Sequence, residues 1–245
     1  MTTAAVQVPR QRTAGPLVSF LVPVHNEERT LARVLDAIAA LPLEHEIIVV
    51  DDGSTDGTAA VLQAWRAGHP TIVALTQAHR GKGAALRAAI PHATGDIVVV
   101  QDSDLEYDPG HVPELVAPIA RGEADVVFGS RLLAGTAERT WATPNRLGNQ
   151  ALSALTGLLY QRRVTDMETG HKAFAREALQ AMDLRSDDFA IEPEITAHVL
   201  RRGLRLVELP IPYVGRSHAE GKKIRWRDAR KAVAALLVNR FRPLG

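Results

Sequence analysis

The sequence predicts an α/β fold with a mostly parallel central sheet, helices on both faces of that sheet, and a basic amphipathic helix at the C-terminal end. Short runs rich in Val, Ile and Leu alternate with helical segments over residues 17–130, as expected for parallel strands that are buried on both faces. Polar and acidic residues directly follow these runs. The 245 residues, of which 46% are hydrophobic, are enough to bury the core of one large domain.

Five strands and three helices are predicted in the first half of the chain. Each predicted strand is a short apolar run, and each predicted helix is a segment with helical spacing of its apolar residues. The strands are Leu17–Val22, Glu46–Val50, Thr71–Leu75, Asp96–Val100 and Asp125–Ser130, and the helices are Thr30–Ala40, Thr58–Ala67 and Ala84–Ala93. Because strands joined through helices run parallel, we expect right-handed crossover connections.

The pattern is looser in the second half of the chain. Helices are predicted at Asn149–Tyr160, Phe174–Met182 and Ala190–Arg202, a strand at Leu204–Pro210, and a basic helix at Ile224–Arg242. Pro193 suits the first turn of its helix, and Gly203 suits the position that ends it. We expect a disordered leader over residues 1–16, one domain over residues 17–223, and the C-terminal helix over residues 224–245.

Composition excludes several classes of protein. Because the chain has no cysteine, it has no disulfide framework, zinc–thiolate site or cysteine nucleophile, which suits a reducing compartment. The longest strictly apolar run, Ala232–Val238, has seven residues, whereas a membrane-spanning helix needs about 20. The first fifteen residues lack the apolar core of a signal peptide. We therefore expect a cytoplasmic protein.

The formal net charge of +1 hides an asymmetry. Residues 201–245 contain 12 Lys and Arg against 3 Asp and Glu, a net charge of +9, while residues 1–200 have a net charge of −8. A basic end on an acidic body indicates an anionic partner such as phosphate, nucleic acid or a membrane surface. The alternative is a solvated, charged helix. We expect no nucleic-acid partner, because the basic end nearly lacks the interleaved aromatic residues that stack on bases.

Polar and acidic residues follow three of the predicted strands. The first strand leads into Asn26 and Glu27, the second into Asp51 and Asp52, and the fourth into Asp102 and Asp104. Ligands bind at this edge of open α/β sheets, and a divalent metal is the simplest cation that would join converging carboxylates. Each motif taken alone also fits a surface turn. Neither G-x-G-x-x-G nor a Walker A motif follows the first strand, which excludes Rossmann dinucleotide and P-loop sites.

Five short motifs occur in a distinctive order along the chain. They are Pro23-Val24-His25-Asn26-Glu27, Val49-Val50-Asp51-Asp52-Gly53-Ser54, Gly81-Lys82-Gly83, Gln101-Asp102-Ser103-Asp104 and Gly129-Ser130-Arg131. Together they resemble glycosyltransferase family 2, and most closely its dolichyl-phosphate or polyprenyl-phosphate mannosyltransferase-like branch, over residues 17–225. The resemblance implies the GT-A fold, with a Rossmann-like sheet, and a nucleotide sugar as donor.

The resemblance also implies which residues meet the donor. Glu27 is expected on the ribose hydroxyls, Asp52 on the base, and Arg131 near the diphosphate. The basic segment Arg216–Lys223 resembles a loop that closes on the diphosphate. The full set implied for nucleotide-sugar binding is Pro23, Asn26, Glu27, Asp52, Gly81, Lys82, Asp102, Ser103, Arg131, Arg216 and Lys222.

A metal site is implied within the same motifs. Asp102 and Asp104 match the family's metal-binding acids and are expected to hold Mg²⁺ or Mn²⁺ against the diphosphate. Glu106 lies where a third oxygen ligand would fit. The family often has Ala between the two acids, and Ser103 is a mild departure that should not disturb coordination.

The acceptor side is implied further along the chain, where Thr165–Lys172 resembles the segment that lines it. Asp166, Lys172 and Glu192 are the candidates there. Two alternatives stay open: Lys172 as an exposed helix residue, and Glu192 or Glu194 as acidic residues that favour a helix N-terminus. The implied catalytic set is Asp104, Arg131, Asp166, Lys172 and Glu192.

The C-terminal helix bears on the nature of the acceptor. Its apolar residues fall near one face with basic residues around them, as in helices that lie in an anionic membrane interface. The alternatives are that this face packs on the rest of the domain or on a second subunit in a homodimer. Because no span is predicted, any membrane contact should be peripheral.

The predicted function is metal-dependent, inverting transfer of a hexose from a GDP-mannose or UDP-glucose type of donor to a polyprenyl or dolichyl phosphate. The first alternative is the same chemistry on a soluble or polysaccharide hydroxyl, for which Asp166 or Glu192 would act as the base. More distant alternatives are a sugar-nucleotide pyrophosphorylase and a non-catalytic module that binds a nucleotide sugar. The pyrophosphorylase would need a Gly-rich loop after the first strand, which Pro23–Glu28 lacks.

Overall fold

A computed structural model describes residues 15–133, 143–215 and 226–243. The strands are β1 (Val18–Val24), β2 (His45–Asp52), β3 (Val73–Gln77), β4 (Ile97–Val100), β5 (Val126–Ser130), β6 (Lys172–Ala175) and β7 (Leu206–Pro210). The helices are α1 (Leu31–Ala39), α2 (Thr58–Gly68), α3 (Lys82–Ala89), α4 (Val112–Ala120), α5 (Thr143–Tyr160), α6 (Arg176–Gln180), α7 (Ile191–Arg201) and α8 (Trp226–Phe241). The predicted α/β class is confirmed. Most of the predicted leader, residues 1–14, lies outside the described residues.

The described strands form one sheet in the order β3-β2-β1-β4-β6-β5-β7. All neighbours run parallel except around β6, which pairs antiparallel with both β4 and β5. The last residue of β1, Val24, lies opposite Asp51 of β2. The segments that follow β1, β2, β4 and β5 therefore meet at one edge of the sheet, together with the segment that precedes β6.

The strand β6 corrects one prediction. The sequence predicted a single helix at Phe174–Met182, but the chain there forms β6 and then the short helix α6. Ala, Lys, Arg and Glu give this segment a local preference for helix. Its position between β4 and β5 overrides that preference, because the backbone groups of β6 complete the hydrogen bonding of both neighbours.

Apolar residues cover both faces of the sheet. Phe20, Val22 and Val24 of β1 belong to one core layer, which includes residues of α1 and α4. Leu21, between them, belongs to the other layer, which includes residues of α3, α6, α7 and α8. Alternate residues of a strand point to opposite faces, so a continuous apolar run supplies both layers. This explains why the strands have unbroken apolar sequences.

The C-terminal helix α8 packs on the rest of the domain. Ala232 and Leu236 are buried, and the hydroxyl of Tyr160 at the end of α5 donates to the carbonyl of Leu236 at 2.7 Å. Leu237 and Phe241 remain exposed. Packing on the rest of the domain, one of the three environments predicted for this helix, is therefore observed. Part of the apolar surface of the helix stays exposed. Within the described part of the chain, no helix combines the length and apolar character that crossing a bilayer requires.

Candidate active site

A cleft of about 570 Å³ opens at the edge of the sheet where β1, β2 and β4 end. Two predicted site residues, Glu27 and Ser103, are buried behind the wall of this cleft. The hydroxyl of Ser103 donates to the carbonyl of Pro23 at 3.0 Å and so connects the end of β4 to β1. The predicted site residues that line the cleft are Pro23, Asn26, Asp52, Gly81, Lys82, Asp102 and Asp104. The structure thus brings together motifs from four separate parts of the chain.

Asp52, the last residue of β2, anchors the loop before α3. Its Oδ1 accepts hydrogen bonds from Gln77 Nε2 (2.7 Å) and from the backbone N–H of Arg80 (2.9 Å). Its Oδ2 accepts from the backbone N–H of Gly81 (2.7 Å) and lies 2.8 Å from His79 Nδ1. Burial alone would raise the pKa of Asp52, but these hydrogen bonds outweigh burial and lower it below its ordinary value. Gly81 permits the loop because its φ is +117°.

Asn26 and Glu27 are adjacent in sequence but face different surroundings. Asn26 lines the cleft, and its Oδ1 accepts from the backbone N–H of Thr55 at 2.7 Å. Glu27 is buried, and its Oε2 accepts from the hydroxyl of Thr30 at 2.8 Å. The contact of Glu27 with a ribose stays a prediction, whereas Asn26 already lies in the cleft wall.

His25 and His79 stack against each other beside Asp52. Their ring centroids are 3.9 Å apart and their planes differ by 18°. With Asp52 they place three ligand atoms within 4.8 Å of one another, the only such group of His, Asp or Glu found in the described residues. An imidazole binds a metal in its own ring plane, and these two planes are nearly parallel. One ring must therefore turn before both bind the same ion.

A buried chain of alternating charges runs from the cleft to β6. The Nζ atom of Lys82 lies 2.7 Å from Asp102 Oδ1 and 2.9 Å from Glu192 Oε1. The other oxygen of Glu192 binds the ammonium group of Lys172. Burial alone would lower the pKa of Lys82, but Asp102 and Glu192 raise it above its ordinary value, so Lys82 stays charged. Two ammonium groups and two carboxylates balance, and removing any one leaves a buried charge uncompensated.

Lys172 and Glu192 are both fully engaged in this chain. Besides Glu192, the ammonium group of Lys172 donates to the carbonyls of Thr169 (2.5 Å) and Met167 (3.3 Å). Burial alone would raise the pKa of Glu192, but Lys172 and Lys82 outweigh it and lower the pKa. The alternative of an exposed helical Lys172 is wrong, since this residue begins the buried strand β6.

Arg131 and Asp166 form a second buried ion pair. The Nε and Nη2 atoms of Arg131 each donate to Asp166 at 2.7 Å, and its backbone N–H donates at 2.9 Å. Asn149 adds a fourth hydrogen bond to Asp166, and the ring of Tyr213 lies 5.1 Å from the guanidinium. Burial alone would raise the pKa of Asp166, but Arg131 outweighs it and lowers the pKa. Asp166 therefore positions Arg131, and its oxygens have no remaining capacity to act as a base.

Comparison with known sequences identifies the family. Residues 19–182 match the sequence model of glycosyl transferase family 2. The chain belongs to glycosyltransferase family 2. The match begins in β1 and ends just after α6, so it includes nearly all of the cleft and both buried ion-pair systems except Glu192. The predicted family and enzyme class are confirmed.

Two of the relatives have names that include a polyprenyl phosphate. The undecaprenyl-phosphate mannosyltransferase of Micrococcus luteus is 29% identical over 212 residues, which are 84% of this chain and 86% of the relative. The dolichol-phosphate mannosyltransferase of Pyrococcus furiosus is 28% identical over 84% of this chain and 58% of its own length. Glycosyltransferase AglD of Haloferax volcanii is 31% identical over 82% of this chain. The chain spans only 33% of AglD.

Solved structures of similar fold contain nucleotides and Mn²⁺. The complex of glucosyl-3-phosphoglycerate synthase from Mycobacterium tuberculosis with Mn²⁺, UDP and glucosyl-3-phosphoglycerate has a TM-score of 0.69 and 26% identity, covering 98% of this chain and 88% of that one. The mannosyltransferase PcManGT of Pyrobaculum calidifontis, with GDP-Man and Mn²⁺, has a TM-score of 0.59 and 25% identity, covering 94% and 64%. The predicted GT-A fold is confirmed.

Asp102 and Asp104 suit a divalent metal in this family 2 chain. Both line the cleft, and both offer carboxylate oxygens, which Mg²⁺ and Mn²⁺ prefer. Glu106, the predicted third ligand, accepts a hydrogen bond through one of its oxygens, Oε2, from the hydroxyl of Tyr213 at 2.9 Å. Asp102 and Asp104 are thus the acids of this set that line the cleft, and the binding of a metal by all three residues stays a prediction.

Two predicted donor residues, Arg216 and Lys222, lie outside the described residues. Conversely, the structure draws attention to Glu168, which the sequence analysis did not single out. Glu168 stands between Asp166 and Lys172 in the segment that resembles the acceptor side. A sequence shows several acids in such a segment but not which of them a buried cation already binds.

Proposed function

We propose that this chain transfers a hexose from a nucleotide diphosphate sugar, of the GDP-mannose or UDP-glucose type, to a polyprenyl phosphate with inversion. The cleft carries the proposal: Asp102, Asp104 and Lys82 line one cavity at the carboxyl edge of a GT-A sheet. The Micrococcus luteus relative supports the choice of acceptor, because it matches this chain over most of both lengths.

In this mechanism an oxygen of the acceptor phosphate bonds to the anomeric carbon of the hexose. The bond from that carbon to the diphosphate breaks, and its electron pair leaves with the nucleoside diphosphate. Bound at Asp102 and Asp104, Mg²⁺ or Mn²⁺ would supply charge neutralisation for the leaving diphosphate. Lys82 adds a permanent positive charge in the cleft wall.

A phosphate acceptor also agrees with the state of the buried acids. A phosphate monoester is an anion near neutral pH, with a second pKa of about 6, so its oxygen attacks without a strong base. Asp166 and Glu192, the bases considered for a hydroxyl acceptor, are both held in ion pairs with lowered pKa values. The arrangement favours an acceptor that is already ionised.

The second candidate function is transfer to the hydroxyl of a small anionic acceptor. The synthase from Mycobacterium tuberculosis supports it, because its complex with phosphoglyceric acid has a TM-score of 0.69 and 26% identity, covering 94% of this chain and 82% of that one. The two candidates share the donor cleft and differ in the acceptor, because a hydroxyl needs a general base whereas an ionised phosphate does not.

We further propose that the chain works at the cytoplasmic face of a membrane through an exposed apolar patch. The patch consists of Leu158 on α5 and Leu237 and Phe241 on α8, which are 78%, 43% and 80% exposed. The two helices meet there, since Arg240 Nε donates to the carbonyl of Leu159 at 2.9 Å. Apolar residues beside arginines suit a surface of anionic lipid.

The decisive experiment measures release of nucleoside diphosphate and formation of glycolipid. The purified chain is incubated with Mn²⁺ or Mg²⁺, a panel of nucleotide sugars and short polyprenyl phosphates. We expect turnover, and we expect Asp104→Ala to lower it at least about 100-fold, as loss of a transition-state charge contact does. Glu123→Ala, which removes an exposed carboxylate paired with Arg121, is the matched control and should be unchanged.

Two results would contradict the proposal in different ways. Full activity of Asp104→Ala would mean that Asp104 does not hold the metal. Activity on a soluble phosphorylated hydroxyl compound, with no product from any polyprenyl phosphate, would favour the second candidate.

A further inference from the structure

Glu168 is an acidic residue near the cleft whose carboxyl group makes fewer hydrogen bonds than it can. It lies in the loop that joins α5 to β6 and is partly exposed. Its Oε1 atom is buried, and no hydrogen-bond partner for that atom occurs among the described residues. Leaving a buried polar atom without a partner is costly unless water or a ligand completes it. The folded chain therefore leaves a hydrogen bond of Glu168 available.

The backbone holds Glu168 in a fixed place. Lys172 donates to the carbonyls of Met167 and Thr169, the residues on either side of Glu168. One residue further, the backbone N–H of Gly170 donates to the hydroxyl of Tyr107 at 3.1 Å. A binding residue on such a fixed loop loses little conformational freedom when its ligand arrives.

This loop reaches the cleft at Gly170. A Cβ atom on Gly170 would overlap the carboxylate of Asp102 and would lie 3.0 Å from Lys82 Nζ. Both of those residues line the cleft. The Cα atoms of Glu168 and Gly170 are at most about 7 Å apart, so Glu168 lies within about that distance of the point where Gly170 meets Asp102. It is therefore a neighbour of the donor site, on the segment predicted to meet the acceptor.

The charged groups that act on Glu168 come from four parts of the fold. Glu192 of α7 and Asp166 of the same loop disfavour its negative charge, and Lys172 of β6 and Arg131 after β5 favour it. Burial is the largest influence, and the balance raises the pKa of Glu168 to about 7. Asp166 and Glu192 already pair with the two cations, Arg131 and Lys172.

We propose that Glu168 binds the acceptor phosphate as a neutral carboxylic acid whose O–H donates a hydrogen bond to a phosphate oxygen. This inference rests on the proposed function, since it requires a phosphate acceptor. A dianionic phosphate repels an ionised carboxylate but accepts a hydrogen bond from a protonated one. The bound phosphate in turn favours the protonated form, so the complex keeps its proton to a higher pH than the free protein does.

The test is the pH dependence of acceptor binding, measured separately from transfer. The affinity of the full chain for farnesyl phosphate, with Mn²⁺ and a nucleoside diphosphate present, is measured by calorimetry between pH 6 and pH 9. The variant Glu168→Gln has nearly the same shape and a permanent neutral donor. Glu177→Gln, the same change at an exposed position on α6, is the matched control.

The ratio of the wild-type Kd to the Glu168→Gln Kd cancels the ionisation of the phosphate itself. In the protein without acceptor the pKa of Glu168 is about 7. We therefore expect this ratio to rise about tenfold between pH 6 and pH 8. The ratio of wild type to Glu177→Gln should stay near one. If Glu168→Gln fails to fold, Glu168→Ala replaces it. That variant lacks the donor, so we expect about tenfold weaker binding than wild type at pH 6.

The outcomes separate this inference from the proposed function. A ratio that does not change with pH overturns the role of Glu168, even if hexose transfer occurs. A ratio that rises as expected, without transfer to any polyprenyl phosphate, supports Glu168 as a phosphate ligand and contradicts the proposed function. Absence of farnesyl phosphate binding in wild type overturns both.

Discussion

The acidic residues around the cleft differ in how many hydrogen bonds and ion pairs their carboxylates already make. Asp166 accepts four hydrogen bonds, and Glu192 binds two lysines. Both were predicted as reacting groups because acids in such segments are typical of an acceptor site. The sequence cannot show that Arg131 pairs with Asp166, or that Lys172 pairs with Glu192, because the partners are distant from each other along the chain. The positions were predictable, but the roles depend on these long-range pairings.

Glu168 should lower the stability of the protein at neutral and alkaline pH. Its folded pKa, about 7, lies above the model-peptide value of 4.5, so the folded state holds its proton more tightly than the unfolded state does. Stability therefore falls as the pH rises between those two values and stays lower above them. We expect Glu168→Gln to gain roughly 3 kcal/mol at pH 8 and nothing at pH 4.

Urea unfolding of wild type and Glu168→Gln at pH 4 and pH 8 measures this difference. Glu177→Gln again serves as the control, and its stability should follow that of wild type at both values. Equal stability of wild type and Glu168→Gln at pH 8 would mean that the carboxyl group is better solvated than its buried Oε1 indicates.

At the scale of elements, sequence periodicity predicted the strands and helices of the first half well. Apolar runs buried on both faces have an unmistakable pattern, and β1 to β5 all fall where that pattern places them. The helix α4 and the strand β6 were not predicted. The strand has four residues and no β-branched side chain, so only its place between β4 and β5 makes it a strand. Tertiary pairing of this kind leaves no local signal.

The helix α8 is expected to be a stabilising part of the domain. Leu236 is fully buried, whereas the next residue, Leu237, is 43% exposed. We expect Leu236→Ala to lower the free energy of unfolding by about 2–5 kcal/mol, as a cavity in a packed core does. Leu237→Ala removes the same atoms from the surface and should change it by less than about 0.5 kcal/mol. Urea denaturation of the two variants measures both values.

A similar loss in both variants would mean that Leu237 is covered in solution, for instance by a second copy of the chain. No loss in either variant would mean that α8 detaches from α5 and α7 without affecting the rest of the fold.

At the scale of the whole molecule, the two faces of the sheet differ in what they present. The apolar patch of Leu158, Leu237 and Phe241 belongs to the helices that cover one face. The helix α4 covers the other face. The apolar patch therefore lies on the opposite side of the sheet from α4.

We expect the chain to sediment with vesicles that contain phosphatidylglycerol and to be released by high salt. Replacing Leu237 and Phe241 by Ser should weaken binding about tenfold or more, since each large apolar side chain contributes up to roughly 1.5–3 kcal/mol when fully buried. Arg240→Ala should cost about 1 kcal/mol. Arg121→Ala, an equal change of charge at the end of α4, is the control. If Arg121→Ala weakens binding as much as Arg240→Ala, the patch is not the contact surface.

The antiparallel strand β6 also has a consequence for the order of folding. The strands β1 to β4 pair only with one another until β6 is present, so this half of the sheet can form from the first hundred residues of the chain. By contrast, both neighbours of β5 come later: β6 begins at Lys172 and β7 at Leu206. During synthesis β5 therefore emerges as an apolar strand without a partner for some forty residues of chain growth. Such an unpaired strand is prone to aggregate, and a fragment that ends before β6 would retain this hazard permanently.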